Sequence, residues 1–459
     1  MSLLSLPQRR FLQDLFPGSD CLLSPEEMVV FEADASRLEG TPLAVVRPET
    51  EEQIIELMRW AHAERMPLYP RARATNVVGL CVPQKPGIVV STLKMDNILE
   101  VDSDDFITRV EPGVITGDLQ KRVEQDKLFY PPDPASLGIS TIGGNVATCA
   151  GGMRALKYGV TREWVLGCKA VLPGGKTITC GGRNHKNVVG LDLLRLLTGS
   201  EGTLAFLTEL TLKLIPKPES TASILAGFAN LEEALHAIKI MFKAGMLPAA
   251  LEFMGPEVLN ALSNAGAVPW PSTVTASLLL RFDGSHQALK ADLEKAEAIF
   301  KACNVLWSTT GIGKDEEEPL WDVRRSINPA SFKVAPNKYS DDVTVPRGKL
   351  LKAVTGIRKI SEKHTLPILT FGHVGDGNIH VNIMYDASDT QELARANAAK
   401  KDISEFILSL QGTLSGEHGV GLVKAPYVHL QLSETERSLM KQIKHVFDPH
   451  CIMNPGKAF

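Results

Sequence analysis

The sequence predicts an α+β protein with its chain divided between two domains, the second built around an antiparallel sheet. Three observations lead there. At 459 residues the chain exceeds what one hydrophobic core holds. Helical patterns with an apolar stripe alternate with short β-branched runs along its length. After LTLKLIPKPES the texture changes: Pro216 and Pro218 interrupt the pattern, and long helices replace the glycine-dense segments before them.

The elements follow in order. AVVRPETEEQIIELMRWAHAERMPLYP reads as strand, helix, strand, with a capping box from Thr50 to Gln53 and an apolar stripe of Ile54, Leu57, Met58 and Ala61. GIVVSTLKMDNILEVDSDDFITRVEPG then gives short strands separated by polar and Gly/Pro turns. Glycine is dense between Gly138 and Gly202, and clustered glycines beside strands let backbone N–H groups approach a ligand. Beyond residue 218, LEEALHAIKIMFKAG and HQALKADLEKAEAIFKACN are helical and ASLLLRF is a strand. TLPILTFGHVGDGNIHVNI reads as two strands joined by a turn, and DTQELARANAAKKDISEFILSL as a long helix. The tail opens with a second capping box, Ser433 to Glu436.

Composition narrows the function classes. Hydrophobic residues at 44% and charged residues at 22% describe an ordinary globular chain and exclude disorder and collagen. A net charge of −4 gives no global field for nucleic acid or anionic lipid, so an anionic substrate needs a local cluster of cations. MSLLSLPQRRFLQDLF lacks the three regions of a signal peptide and no apolar run is long enough to span a bilayer. A cytoplasmic protein is expected, with peripheral association on the inner face of the membrane compatible. The seven scattered cysteines form no C-x-x-C pair, so no iron–sulfur cluster or zinc ribbon is encoded and free thiols are expected. No G-x-G-x-x-G occurs, and Ala170 stands where a phosphate loop ending in GGKT requires glycine. NAD-type Rossmann enzymes and P-loop ATPases are therefore set aside.

PLYPRARATNVVG, TIGGNVATCAGGMRALKYGVTREWVLG and LLTGSEGTLAFLTELTLKLIP, in this order and spacing, resemble the FAD-binding domain of the vanillyl-alcohol oxidase and p-cresol methylhydroxylase superfamily. Within it the chain is similar to the branch of D-lactate dehydrogenase, glycolate oxidase flavoprotein subunit and D-2-hydroxyglutarate dehydrogenase, up to the NPGK close at Asn454 to Lys457. The resemblance implies a two-subdomain FAD-binding domain over 1–217, an α+β substrate and metal-binding cap domain over 218–425, and a segment 426–459 returning to the first domain. It implies FAD with its pyrophosphate along the 71–79 loop, at Arg71, Arg73, Ala74, Thr75, Asn76 and Gly79, and on the Gly143, Gly144 and Asn145 turn. Pro132, Asp133, Ser136, Thr141, Gly151, Gly152, Tyr158, Gly159, Glu201, Gly202 and Asn454 complete the cofactor positions it implies.

Two departures qualify this. Ala72 and Ala74 replace both glycines of the family's first loop, and alanine at positive φ is strained. No histidine lies between His62 and His185, and neither Cys81 nor Cys149 matches a covalent tether, so the FAD is expected to be non-covalent.

A second constellation lies in FGHVGDGNIHVN, where His373 and His380 flank a six-residue turn. Across paired antiparallel strands, facing residues have Cβ atoms about 5 Å apart, close enough for two imidazoles on one ion. SGEHGVG adds Glu417 and His418. Two imidazoles and a carboxylate suit Zn²⁺, Fe²⁺ or Mn²⁺, and the resemblance implies that His373, His380 and Glu417 bind the metal. It also implies His418 as base, Asn382 as a substrate contact and Arg324 in PLWDVRRSINPA as a clamp on the substrate carboxylate, with Arg325 a less favoured substitute. Lys338 lies two residues off the register of the lysine that relatives use for a second carboxylate, and Asp376 is expected to fix the turn.

The expected activity is oxidation of a D-2-hydroxy acid, D-lactate or glycolate, to the 2-oxo acid. The electrons would pass to an external quinone, cytochrome, electron-transfer flavoprotein or iron–sulfur subunit. Two alternatives remain at this point: a flavin transferase like alkyl-glycerone-phosphate synthase, and a flavin electron-relay subunit of a larger complex.

Overall fold

Ala44–Val46, the helix Glu51–Glu64 and Leu68–Arg71 form the strand, helix, strand unit of the early sequence, and both strands run parallel to Ile88–Ser91 lying between them. The helix starts where both halves of the capping box close: Gln53 N–H donates to Thr50 Oγ1 at 3.3 Å and Thr50 N–H to Gln53 Oε1 at 3.4 Å. It stops at Arg65, which turns left-handed at φ +53. Ile54, Leu57, Met58 and Ala61 are buried against Val46, Leu68 and Val90, at about 1.5–3 kcal/mol for each large side chain removed from water.

The computed structural model describes residues 4–266 and 268–458. The chain forms two compact units. The first contains Met1–Gly151, Val160–Lys217 and Glu417–Phe459, and the second Gly152–Gly159 and Pro218–Gly416. Besides the sheet above, the first unit has a five-stranded antiparallel sheet of Ile98–Asp102, Ile107–Val110, Phe206–Lys213, Val165–Val171 and Thr177–Gly181, in that spatial order.

The second unit is a seven-stranded antiparallel sheet in the order Trp307–Ile312, Ser220–Phe228, Ala276–Gly284, Ala250–Met254, Ile368–Gly372, Asn378–Tyr385, Asn337–Thr344. Strand alternation assigns two faces. Ile224, Leu280, Phe253 and Val381 belong to one, in a core with apolar residues of helices Leu231–Lys243, His286–Ala302, Leu350–His364 and Thr390–Ser409. Leu225, Leu279, Met254, Leu369, Phe371 and Met384 belong to the other, packed with helices Pro256–Ala265, Lys314–Arg325 and Ile327–Ser331. Polar side chains interrupt this second face, and the chemistry collects there.

Two boundaries differ from those expected. Residues 152–159 belong to the second unit because the Tyr158 hydroxyl donates to Asp283 Oδ2 at 2.7 Å and Leu156 packs on that unit's core. The chain re-enters the first unit at Glu417 rather than 426, because Val420 and Gly421 donate their N–H groups to Glu201, and Leu422 donates to Val78 O at 2.7 Å. All seven cysteines are unpaired, and among the described residues no helix is long and apolar enough to cross a membrane.

Candidate active site and metal centre

In the first unit, residues from 70–77, 140–151 and 200–207 enclose a cavity of about 310 Å³, with Glu417, His418 and Asn454 on its wall. The main-chain N–H groups of Arg73, Ala74, Thr75, Asn76 and Val77 have no acceptor among the described residues. Five successive unsatisfied donors lining a cavity are what a pyrophosphate requires, and the segment fits FAD in this respect. The loop is shaped by Asn76, whose Oδ1 accepts from Val78 N–H at 3.3 Å and Leu80 N–H at 2.9 Å. Ala74 sits at φ +53, so the strain foreseen for an alanine here is present at Ala74, while Ala72 stays at negative φ.

The Gly143, Gly144 and Asn145 turn works differently from the expectation. Its donors are engaged inside the protein: Gly143 N–H to Pro112 O at 2.8 Å, Gly144 N–H to Thr141 Oγ1 at 3.2 Å, and Asn145 N–H to Thr141 O at 2.9 Å. The glycine at 143 is there for close approach, since a Cβ would lie 2.5 Å from that of Pro112.

Other expected cofactor positions divide. Ser136, Thr141, Gly151, Glu201, Gly202 and Asn454 line the cavity; Gly79, Pro132 and Asp133 do not, and Gly152, Tyr158 and Gly159 fall in the second unit. Arg71 borders the cavity, but its guanidinium is a strut that donates to Val30 O and Ala33 O, both at 2.9 Å, and burial lowers its pKa. Arg73 is exposed. Glu201 does more than line the wall. Its carboxylate accepts from Val420 N–H at 2.6 Å and Gly421 N–H at 3.0 Å, while its carbonyl accepts from Asn454 Nδ2 at 2.7 Å. Burial raises its pKa against those N–H groups. It therefore fixes the loop that carries Glu417 and His418.

In the second unit, His373 follows the strand Ile368–Gly372 and His380 lies on Asn378–Tyr385. They are not opposed in register: His380 faces Phe371 on one side and Asp342 on the other. Gly372, at φ +145, ends the ladder and lets His373 turn in. The two Nε2 atoms are 3.3 Å apart, and the rings meet edge to face at 5.0 Å. Two nitrogens about 2.0–2.1 Å from a tetrahedral zinc are separated by roughly 3.3 Å, so this spacing fits one shared divalent ion. Asp376 Oδ1 accepts from Asn378 N–H at 3.2 Å, as expected of a turn residue.

Glu252, which sequence reading passed over, joins the parts. It is fully buried; one carboxylate oxygen binds His373 Nδ1, and the other accepts from Arg324 Nε at 2.6 Å. Burial alone would raise its pKa, but His373 and Arg324 outweigh burial and hold it at about 2. A carboxylate on Nδ1 keeps the proton there and leaves the Nε2 lone pair for a metal. One signal was available. In AALEFMG, Glu252 alternates with Ala250 and Met254 on a buried strand face, and a buried carboxylate demands a partner.

Arg324 comes from a helix whose inner side is anchored at Glu317, which accepts from Ser223 Oγ at 2.5 Å and Arg281 Nε at 3.1 Å, and at Trp321, whose Nε1 donates to Ser223 Oγ at 2.9 Å. Its guanidinium lies 4.7 Å from the Phe371 ring, and its two terminal nitrogens have no acceptor among the described residues. Arg325 is on the exposed side, paired with Glu318 and Asp322. Asn382, one step along the strand from His380, is buried with an Oδ1 that has no partner among the described residues. Lys338 is tied to Asn328 and lies 5.0 Å from the Phe332 ring.

Comparison with known proteins agrees with this architecture. Residues 217–458 match the model of FAD linked oxidases, C-terminal domain, and residues 42–181 that of an FAD binding domain. The glycolate oxidase subunit GlcD of Bacillus subtilis strain 168 is 39% identical over 432 residues, covering 94% of this chain and 92% of that one. A D-lactate dehydrogenase of Anaerostipes hadrus is 34% identical over 433 residues, covering 91% and 89%. The solved structure of p-cresol methylhydroxylase with substrate bound superposes with a TM-score of 0.82 at 16% identity, over 98% of this chain and 96% of that one. This last likeness is one of fold.

Proposed function

The chain belongs to the family of FAD-linked oxidases, and on that premise we propose that it oxidises a short 2-hydroxy acid, D-lactate or glycolate, to the 2-oxo acid. One observation carries the reading: two imidazole Nε2 atoms at metal-sharing distance beside an arginine whose terminal nitrogens lack acceptors among the described residues. Together they offer separate places for the hydroxyl and the carboxylate of such an acid.

FAD, when bound in the first unit, supplies the acceptor for the hydride leaving the substrate Cα. A divalent ion, Zn²⁺, Fe²⁺ or Mn²⁺, held by His373, His380 and Glu417, supplies Lewis acidity that lowers the hydroxyl pKa. Arg324 binds the substrate carboxylate through its two terminal nitrogens, and Asn382 contacts the substrate. His418 takes the hydroxyl proton. The roles of Glu417 and His418 are those the family resemblance implies. Gly416, the residue before them, donates its N–H to Asp342 Oδ2 at 2.7 Å, and Asp342 stands in register with His380. Lys338 is already tied to Asn328 rather than held ready for a second carboxylate, which favours monocarboxylates as substrates. The electrons then leave to an external acceptor.

The test is anaerobic mixing of the FAD-loaded protein with D- and L-lactate, glycolate and D-2-hydroxyglutarate while following the oxidised-flavin absorption band. D-lactate or glycolate should bleach the band and L-lactate should not. His418→Ala should keep FAD bound and slow bleaching by about 10²–10⁴-fold. Loss of bleaching with every acid would remove the proposed activity, and an unchanged rate in His418→Ala would remove His418 as base.

A further inference from the structure

We propose that Glu252 is a positioning residue that couples the metal centre to the carboxylate clamp, so that metal affinity and substrate affinity change together. The proposal rests on the reading of His373 as a metal ligand and Arg324 as the clamp. Glu252 continues the register of its strand against Ile368–Gly372: Phe253 pairs with Gly372 and Met254 with Phe371, so Glu252 falls opposite His373. Its two oxygens serve two different masters, His373 Nδ1 and Arg324 Nε. The contacts then close on themselves. Arg324 lies over the Phe371 ring, the Phe371 ring is 5.2 Å from that of His380, and His380 Nε2 is 3.3 Å from His373 Nε2.

Within this circuit neither functional group is placed independently. Turning the His373 ring to lose or gain a metal moves the acceptor of Arg324, and moving Arg324 shifts the carboxylate that fixes the His373 tautomer. Among the described residues Glu252 accepts from no third donor, and with no accessible surface it gains no compensating hydrogen bond from solvent. Arg324 does not ligate the metal in this scheme, and among the described residues its one hydrogen bond toward the metal ligands is to Glu252, the Phe371 ring touching His380 by ring contact alone.

The experiment uses the full-length, FAD-loaded protein stripped of divalent metal and titrated with Zn²⁺, then Mn²⁺, against a chromophoric chelator. Five forms are compared: wild type, Glu252→Gln, Glu252→Asp, Arg324→Lys and the Glu252→Gln/Arg324→Lys double variant. Glu252→Gln should weaken Zn²⁺ binding by about 10–100-fold at unchanged FAD stoichiometry. It should also raise KM for D-lactate more than it lowers kcat at saturating Zn²⁺. Arg324→Lys should weaken Zn²⁺ binding in the wild-type background and add nothing in the Glu252→Gln background. Glu252→Asp keeps the charge on a shorter arm and should recover part of both losses. If Glu252→Gln does not yield FAD-loaded protein, Glu252→Asp carries the same test with a smaller shift in the same direction. Wild-type Zn²⁺ affinity in Glu252→Gln, or additive effects of the two substitutions, overturns the coupling while leaving the metal site standing. A wild type that binds neither Zn²⁺ nor Mn²⁺ overturns the metal reading and this proposal with it.

Discussion

The segment from Arg73 to Val77 and the cluster around Glu252 gather polar groups in opposite ways. The first offers main-chain N–H groups that need no particular side chain, only a loop shaped by Asn76 and one strained residue. The second is built from polar side chains buried together: Glu252 at 0% exposure, His373 at 6% and His380 at 8%. A backbone cradle tolerates substitution, whereas a buried charge set fails when one member is removed.

The largest expected effect is on the side-chain site. His380→Ala should abolish stoichiometric metal binding and slow flavin reduction by about 10³-fold, the several kcal/mol a Lewis acid contributes. FAD content, read from the protein's absorption spectrum, should not change. Equal metal content in variant and wild type would place the ion elsewhere.

Next comes Arg324→Leu, which leaves the Glu252 carboxylate buried with one partner gone. Denaturant unfolding should show a loss of about 3–5 kcal/mol. The contrast is Arg71→Leu, where the hydrogen-bond acceptors are carbonyls and no buried carboxylate is left behind, so the loss should be smaller, about 1–3 kcal/mol. A larger loss for Arg71 would reverse the distinction drawn between the two regions.

Acid sharpens the same point. Glu252 is held at about 2 against an ordinary 4.5, so its contribution is complete above pH 4.5 and is lost as pH falls towards 2. Thermal unfolding measured across that window should fall more steeply in wild type than in Glu252→Gln. Parallel curves would show that this carboxyl is not the group that titrates.

The smallest effects belong to the cavity wall of the first unit, where Ala74 and Thr141 both lie. Thr141→Ala removes the side-chain cap on Gly144 N–H and should cost about 1 kcal/mol with FAD still bound. Ala74→Gly relieves φ +53 at some cost in chain entropy, and should raise stability by roughly 0.5 kcal/mol. Loss of FAD from either variant would mean that side chains matter more to the cradle than its geometry indicates.

This contrast also explains what the sequence disclosed. The capping boxes at Thr50 and Ser433, the early strand, helix, strand unit and the hairpin between Ile368 and Tyr385 are local patterns, readable within a dozen residues. The strain at Ala74 was legible because one residue type in one loop decides it. Glu252 was not, because its partners lie 72 and 121 residues away and only the sheet order brings them together. The Gly143 turn was legible only in part: glycine marks close approach of a backbone, and Pro112 makes that approach while Gly143, Gly144 and Asn145 line the cavity.

The proposed site places a divalent ion between His373 and His380, acting on a substrate that FAD oxidises. The most direct measurement is the anaerobic rate of flavin bleaching by D-lactate or glycolate in one preparation, before metal removal, after it, and after Zn²⁺ or Mn²⁺ is restored at constant FAD. The rate should collapse on removal and return on restoration. Bleaching that proceeds unchanged in metal-free protein would contradict the account.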